Sequence, residues 1–542
     1  MHLRSFIRMS VIVSVAMLCA AFAVYSYLRL HAADRAKDFN LYTLVPQDVM
    51  AVVETDRMAD LIDEINAMQC SKDHHFLYVS ELFAYLKNYL TSWVDDAPHG
   101  LSMQMNKMLI SFHKPDNPMN QVLYCALGME DASIIEAFIK KYASSSFPPK
   151  VFDYEGESIY IYPMSDGRFL AVYFTSDFLV VSFQKRLVEQ VIDAYHTETS
   201  LMSRPTFEAL YAGNYRHSSA TVYLRMGAVD MGKDADSTRV SASLGSWAEF
   251  DLKFGESTIY CTGVSHGSDT TLTFINALRK QQPIEEFSGH QLPASTFFYN
   301  CWSLSDKSSI FAFTSKQEYA KVVYSDYIKE RDKEWEGFLE TYGGDQVVSC
   351  LFLPKDSTDL NPCAVMSVPM KNVQVAEARL RALLYATPYG PDAPRLPLAA
   401  YAYSQYPRAR AYRQYLLPRN TLLTQLTGIT QSAFYTYACF YKGELLLAPD
   451  ARSISAYIDT LEAGEILEGV PGYEEGAGSL SPVYNYVMMA DMEILSAQPE
   501  SYVGLMPNFF FRHADFFRHF LVSIQFTCTD GVVYPNIVLL YK

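Results

Sequence analysis

The sequence predicts an α+β fold: two tandem similar domains, each a largely antiparallel sheet packed with helices, after one N-terminal transmembrane helix. Three observations predict it. The first is a stretch used twice, Phe178-Leu-Val-Val-Ser-Phe-Gln-Lys-Arg-Leu-Val-Glu-Gln-Val-Ile-Asp-Ala-Tyr195 and Glu444-Leu-Leu-Leu-Ala-Pro-Asp-Ala-Arg-Ser-Ile-Ser-Ala-Tyr-Ile-Asp-Thr-Leu461, each an apolar strand, a polar break and a helix. Leu179 falls on Leu445, Ile192 on Ile458, Asp193 on Asp459 and Pro205 on Pro471, all at one shift, 445 − 179 = 266. The second is an alternation of hairpin and short-helix patterns along a chain with 39 Tyr and 33 Phe, which favour a pleated surface. The third is Met9 to Leu28, which carries no charge. Twenty such residues, at about 1.5 Å each, cover a ~30 Å hydrocarbon core.

At 542 residues the chain is too long for one core. Its net charge of −16 argues against nucleic acid, which needs clustered cations, and against broad adsorption on anionic lipid. A cleavable signal peptide is the rival to the anchor, with Ala21-Phe22-Ala23 as its site, but the apolar run continues past it. Cys19 follows Leu18, a poor lipoprotein context. Arg4 and Arg8 lie before the run and Arg29, Arg35 and Lys37 after it, so the cationic count does not set orientation. The short basic tail favours a cytoplasmic N-terminus, with a single pass through the inner (cytoplasmic) membrane and the bulk of the chain on the periplasmic side. The expected boundaries are 1–41 for tip, anchor and linker, 42–288 for the first repeat with a helical linker near 271–288, and 289–542 for the second.

The repeats are read in parallel. Leu44-Val-Pro-Gln-Asp-Val-Met-Ala-Val-Val53 enters the first as a strand and is echoed by Leu292 to Tyr299. Helices are expected at Met58–Met68 and Tyr78–Trp93 in the first repeat and at Lys316–Thr341 in the second, where Tyr319, Val322, Val323, Tyr327, Trp335, Phe338 and Leu339 form a broken apolar stripe. Strand pairs follow, Met108–His113 with Gln121–Met129 and Gln346–Leu353 with Cys363–Val368, joined by Pro- and Asx-rich turns. Helices at Asp131–Tyr142 and Val373–Leu384 come next. The repeats then diverge: the first runs through Val151–Tyr162, whereas the second inserts a Pro/Tyr segment from Thr387 to Pro407, a length of loop that marks function or loose order. Phe169–Phe174 and Phe434–Tyr441 lead into the duplicated stretch, the latter through the turn pair Lys442-Gly443. Strands at Ala220–Met226 and Val483–Met489 precede closing hairpins, Phe250–Gly255 with Ser257–Val264 and Val522–Phe526 with Gly531–Tyr541.

The opening apolar segment followed by Leu-Val-Pro-x-Asp-Val, and the closing Ser-Ile-Gln-Phe with Asp-Gly-Val-Val-Tyr-Pro-Asn-Ile-Val-Leu, resemble a functionally uncharacterised, membrane-anchored family of bacterial envelope proteins. The resemblance implies extracytoplasmic placement. It implies no activity and no site residues.

Four constellations bear on chemistry. Gly263-Val-Ser265-His-Gly267 matches the nucleophile elbow of serine hydrolases, where a serine sits on a strained turn between strand and helix. Ser268-Asp269-Thr270 intervenes before any helix, so a strand end with a glycine turn is the plainer reading. Cys70, Asp73, His74 and His75 cluster, as do His513 and His519, but adjacent histidines diverge and a six-residue spacing splits a helix face, so neither predicts a metal. Asn508 to Phe520 is aromatic and basic, suited to a membrane interface or to a lid on its own sheet. Asp153, Glu155 and Glu157 of the first repeat stand where the second carries Arg408, Arg410 and Arg413, charges that face each other between repeats, face a partner, or guard strand edges. Three Asp-Ser/Thr-Thr triplets (Asp236, Asp269 and Asp356) are compatible with glycosylated export; Cys350 and Cys363 sit on neighbouring expected strands as a candidate pair, but the eight post-anchor cysteines form no disulfide framework and buried free thiols are the plainer reading.

The resulting expectation is a membrane-anchored, extracytoplasmic protein-binding or scaffold protein of the cell envelope, with no cofactor, no metal and no catalytic set. Its partner contact is expected at Arg408, Arg410, Arg413 and Tyr389, on another envelope protein. The alternatives are an envelope hydrolase using Ser265 and a small-molecule or lipid binder in a cleft between the repeats.

Overall fold

The computed structural model describes residues 39–78, 80–87, 107–113, 117, 119–127, 149–164, 167–211, 218–225, 247–265, 273–284, 292–314, 326–354, 361–386, 406–427, 434–502, 505–506 and 508–542. The apolar segment Met9–Leu28, the helix expected at Asp131–Tyr142, Tyr389 with most of the Pro/Tyr segment, the start of the helix expected from Lys316 and the three Asp-Ser/Thr-Thr triplets lie outside the described residues. Among the described residues no helix is long and apolar enough to cross a membrane. The fold is α+β, and every strand ladder is antiparallel. The chain packs as two compact units, one of residues 1–67 and 77–224 and the other of 68–76 and 225–542.

The first unit contains β1 (Ala51–Thr55), α1 (Met58–Ala67), β2 (Met108–Phe112), β3 (Gln121–Ala126), β4 (Lys150–Tyr154), β5 (Glu157–Pro163), β6 (Phe169–Phe174), β7 (Phe178–Ser182), α2 (Lys185–Thr197), α3 (Pro205–Tyr211) and most of β8 (Ala220–Arg225). Its strands lie in the order β8-β1-β2-β3-β7-β6-β5-β4. Leu187, Val188, Val191 and Ile192 recur at helical spacing on α2 and are all buried. The run Val151–Tyr162, read from sequence as one strand, is a hairpin. Glu155 and Gly156 both take positive φ, 52° and 86°, the twist of a two-residue hairpin turn. Lys442-Gly443 and Asp530-Gly531 make the same turn.

The second unit contains β9 (Trp247–Phe254), β10 (Thr258–Ser265), α4 (Thr273–Arg279), β11 (Thr296–Ser303), α5 (Lys307–Thr314), α6 (Asp326–Tyr342), β12 (Gln346–Phe352), β13 (Cys363–Pro369), α7 (Val373–Ala386), β14 (Gln414–Leu416), α8 (Leu422–Thr427), β15 (Tyr437–Tyr441), β16 (Glu444–Ala448), α9 (Ala451–Glu462), α10 (Pro471–Gly478), β17 (Tyr486–Asp491), β18 (Phe520–Thr529) and β19 (Val532–Tyr541). Its strand order is β9-β10-β19-β18-β17-β11-β12-β13-β16-β15-β14. The path β17-β11-β12-β13-β16-β15-β14 follows the same connectivity as β8-β1-β2-β3-β7-β6-β5, and α9 follows β16 as α2 follows β7. Ile454, Tyr457 and Ile458 of α9 are buried against Cys350, Val365 and Leu446, each such side chain contributing roughly 1.5–3 kcal/mol of apolar burial.

The hairpin β9–β10 follows the first set of strands in sequence but packs in the second unit. There β10 runs antiparallel to β19, from Thr258 opposite Leu540 to Ser265 opposite Val533. The second packing unit therefore takes in β9 and β10. Two further differences from the sequence reading are local. Lys307–Thr314 is helical although its Ser308, Ser309 and Thr314 weaken any apolar stripe, because Asp306 bonds the Ser309 N–H at 3.2 Å and the Ser308 and Ser309 hydroxyls at its start. Cys350 lies opposite Val365 and Cys363 opposite Phe352, so that pair is out of register, and all eight described cysteines are free thiols.

Candidate functional site

A buried polar constellation forms where the loop Pro46–Val49 meets β2. Ser111 and His113 are two residues apart in extended chain, so their side chains share a face. His113 Nε2 lies 2.9 Å from Ser111 Oγ, and His113 Nδ1 lies 3.2 Å from Asp48 Oδ1. On β3, the Tyr124 hydroxyl lies 3.1 Å from Ser111 Oγ. The hydrogen bond with His113 holds the Asp48 carboxyl below its ordinary value, and burial pushes the Tyr124 hydroxyl well above its own.

Serine oxygen to imidazole Nε2, and Nδ1 to carboxylate, is the connectivity of an acyl-transfer triad. The burial differs from what that chemistry requires. Ser111 is 0% exposed and His113 3%, while the Asp48 side chain is 52% exposed. The carboxylate faces solvent and the hydroxyl is sealed, the reverse of a nucleophile presented to substrate. The arrangement clamps the entry loop onto β2 and β3. With β16 laid on β7 at the 266 shift, the strand registers put Cys350 of β12 where β2 has Ser111, and Phe352 where the chain after β2 has His113, so the second strand set has no counterpart of the clamp. Sequence reasoning used Leu-Val-Pro-x-Asp-Val as a strand entry and as part of a family resemblance, not as a source of a partner for His113. The missed signal was Ser-x-His inside an otherwise apolar strand.

Arg408 opens a 3-10 turn, Arg408–Ala411; its backbone N–H donates to Asp459 Oδ1 at 2.8 Å and its guanidinium to Oδ2 at 3.3 Å. Asp193, at the 266 shift from Asp459, accepts from the Tyr154 hydroxyl at 3.0 Å. Asp193 on α2 and Asp459 on α9 thus each hold a preceding segment of chain against their own helix. Arg410 and Arg413 are exposed beside Arg408. On the acidic side, Glu155 and Glu157 lie 3.7 and 3.3 Å from the His196 ring nitrogens, within their own unit, and Asp153 is exposed on β4.

Ser265 closes β10 and is paired with Ala248 and Val533 in a ladder antiparallel on both sides, unlike the parallel strand–helix step of a nucleophile elbow. Gly263 lies opposite Phe250, and an added Cβ would stand 2.5 Å from the Phe250 ring and 2.7 Å from the Glu249 carbonyl oxygen. The glycine is there so that an aromatic ring can cover the strand.

The two histidine clusters meet. His75 stacks on His519 with ring centroids 4.0 Å apart and 8° between planes. His75 Nδ1 lies 3.0 Å from the Tyr541 hydroxyl, which donates to Asp73 Oδ2 at 3.0 Å. Among the described residues no group of three or more His, Cys, Asp or Glu side chains is placed to hold a metal ion. In the aromatic segment, Phe510, Phe516 and Phe517 are buried and pack on one another and on Phe520, as a lid does, with Phe509 40% exposed. A hollow lined by Arg331, Trp335, Leu380, Leu384 and Pro418 holds about 20 Å³, room for a water.

A further candidate is the exposed edge strand β4. Among the described residues it pairs with β5 alone, and all of Lys150 to Asp153 is exposed. Val151 is 56% exposed, Phe152 41% and Phe169, near the same end of the sheet, 60%.

No curated protein matches the chain. A solved structure titled "Structure of crystal form III of TP0453" aligns with 46% of this chain and 91% of its own, at 11% identity and a TM-score of 0.24. Residues 105–246, the stretch that holds Ser111, His113 and β4 to β8, match the family described as "Protein of unknown function (DUF3352)", which places this part of the chain in an uncharacterised protein family.

Proposed function

We propose that this protein is a non-catalytic binding protein of the cell envelope that receives a protein partner along the open edge of β4. One observation carries the reading: a five-residue strand, aromatic and aliphatic at its centre, that among the described residues pairs with β5 alone and leaves Lys150 to Asp153 exposed. Such an edge is a template for strand addition, which proteins otherwise blunt or cover. The equivalent end of the second strand set, β14, is three residues long with Gln414 and Tyr415 buried, a blunted edge. The sealed Ser111 supports binding rather than hydrolysis.

The reading includes a duplicated α+β ancestor and an uncleaved anchor at Met9–Leu28 that leaves the bulk of the chain on the periplasmic side. Recurrent strand connectivity and the constant 266 shift support the duplication. The uncharged length of the segment supports the anchor. The test is a photo-crosslinking amino acid placed at Val151 in living cells, with Val375, an exposed apolar residue on α7, as control. One discrete adduct from position 151 and none from 375 is expected. Equal or absent adducts overturn the reading.

A further inference from the structure

We infer that the strand received by β4 is β4 of a second copy, giving a two-fold dimer in which Phe152 faces Phe152 of the other chain. The inference rests on the binding reading above and fixes its partner.

The register follows from the hairpin. The two-residue turn makes Tyr154 and Glu157 a hydrogen-bonded pair, so Phe152 with Ile159 and Lys150 with Ile161 are bonded pairs too. The N–H and C=O groups of Val151 and Asp153 therefore point away from β5, to the open edge. An antiparallel copy must oppose outward residues to outward residues. Val151 opposite Val151 would leave Asp153 facing Pro149, which has no N–H. Asp153 opposite Asp153 would oppose like charges. Val151 opposite Asp153 remains. It forms four backbone hydrogen bonds about the two-fold axis and brings Phe152 against its own symmetry mate at a non-bonded position, where side chains approach most closely.

Charge fits the same register. Lys150, Phe152 and Tyr154 share the face on which α2 packs: the Tyr154 hydroxyl donates to Asp193, and the Lys185 ammonium lies 5.3 Å from the Phe152 ring centre. The partner's Lys150 arrives opposite Tyr154, whose hydroxyl pKa is raised by the surrounding Asp193, Glu155 and Glu189 carboxylates. Each lysine thus meets one acidic rim, and the two-fold axis makes the contact twice per dimer. An isologous contact also closes, covering both edges without growing a fibre.

The full chain in a mild non-ionic detergent is the material for the test. Sedimentation equilibrium is expected to show a monomer–dimer equilibrium. Val151→Pro removes an outward N–H without touching a bond to β5 and is expected to weaken dimerisation about 100-fold. Lys150→Glu, a surface change that leaves the strand intact, is expected to weaken it about tenfold. Phe152→Cys is expected to form an interchain disulfide, and Val375→Cys is not. A monomer up to about 100 μM, or a dimer insensitive to both Val151→Pro and Lys150→Glu, overturns the inference. A fluorescent peptide of residues 149–155 separates the two readings. If the chain is monomeric and the peptide binds wild type but not Val151→Pro, the edge is a strand receptor and only the second copy is wrong. If it binds neither, both readings fall.

Discussion

Removal of the His113 imidazole should cost more than removal of either of its neighbours, because it strands both. His113→Ala leaves a cavity and deprives Ser111 and Asp48 of a partner, an expected loss of about 2–4 kcal/mol. Ser111→Ala leaves one buried imidazole nitrogen unpaired, at about 1–2 kcal/mol, and Asp48→Asn, on a half-exposed side chain, costs less than about 1 kcal/mol. Urea denaturation ranks the three, and equal losses would dissolve the clamp. A fluorophosphonate should not label Ser111 in the folded chain, since its hydroxyl is sealed. The histidine stack carries the pH dependence. Burial first, then His75 and Arg518, lower the His519 pKa, against the opposing pull of Glu493 and Asp73. Burial and Arg512 lower that of His513. The unfolded chain then binds protons more readily, so this stability is fully present above about pH 6.5 and is lost as pH falls toward the depressed folded values. Melting temperature should fall between pH 7 and 5, and His519→Phe, which keeps a ring for His75, should flatten the fall; an unchanged slope would exclude the stack as its source.

Helix α9 begins with an Asp450 side chain that accepts the Ser453 N–H at 2.8 Å, whereas α2 begins at Gln184, which makes no side-chain cap. Asp450→Ala should therefore cost about 1 kcal/mol, and Gln184→Asp should add about 0.5–1 kcal/mol, both read from denaturant midpoints at constant slope. If Gln184→Asp is neutral, the two helix starts are not equivalent. At this scale much of the fold was legible. The continuous apolar runs at Met108–His113 and Phe169–Phe174, and the Lys442-Gly443 and Asp-Gly turns, carry local signals that packing does not override. What was not legible depended on partners far along the chain. Val151–Tyr162 alternates as one strand, and only the Glu155-Gly156 turn breaks it. Asp48 reaches His113 across 65 residues, a contact no spacing rule anticipates. Arg408 was visible as a charge but not as a ligand of Asp459. The edge character of β4 needs the whole sheet order to be known.

On the scale of the molecule, the packing unit that begins again at Arg225 takes in β9 and β10, and the β10–β19 ladder joins them to its sheet. A fragment of residues 289–542 carries β11 to β19 yet bares one side of β19. A fragment of 225–542 keeps β9 and β10 over it. The longer fragment should unfold cooperatively as a monomer, while the shorter should self-associate through its open strand, a difference that light scattering on the two purified fragments would detect. If both are monomers of equal stability, the ladder is not needed to close the sheet. The same ladder sets a timetable for synthesis. At ~5–20 residues per second, β10 leaves the ribosome roughly 13–53 s before the strand that will flank it begins at Val532, an interval of 532 − 265 = 267 residues. Through that interval the nascent chain carries a β-edge awaiting its mate, so its yield in a cell should depend on a holding chaperone more than its final stability would suggest.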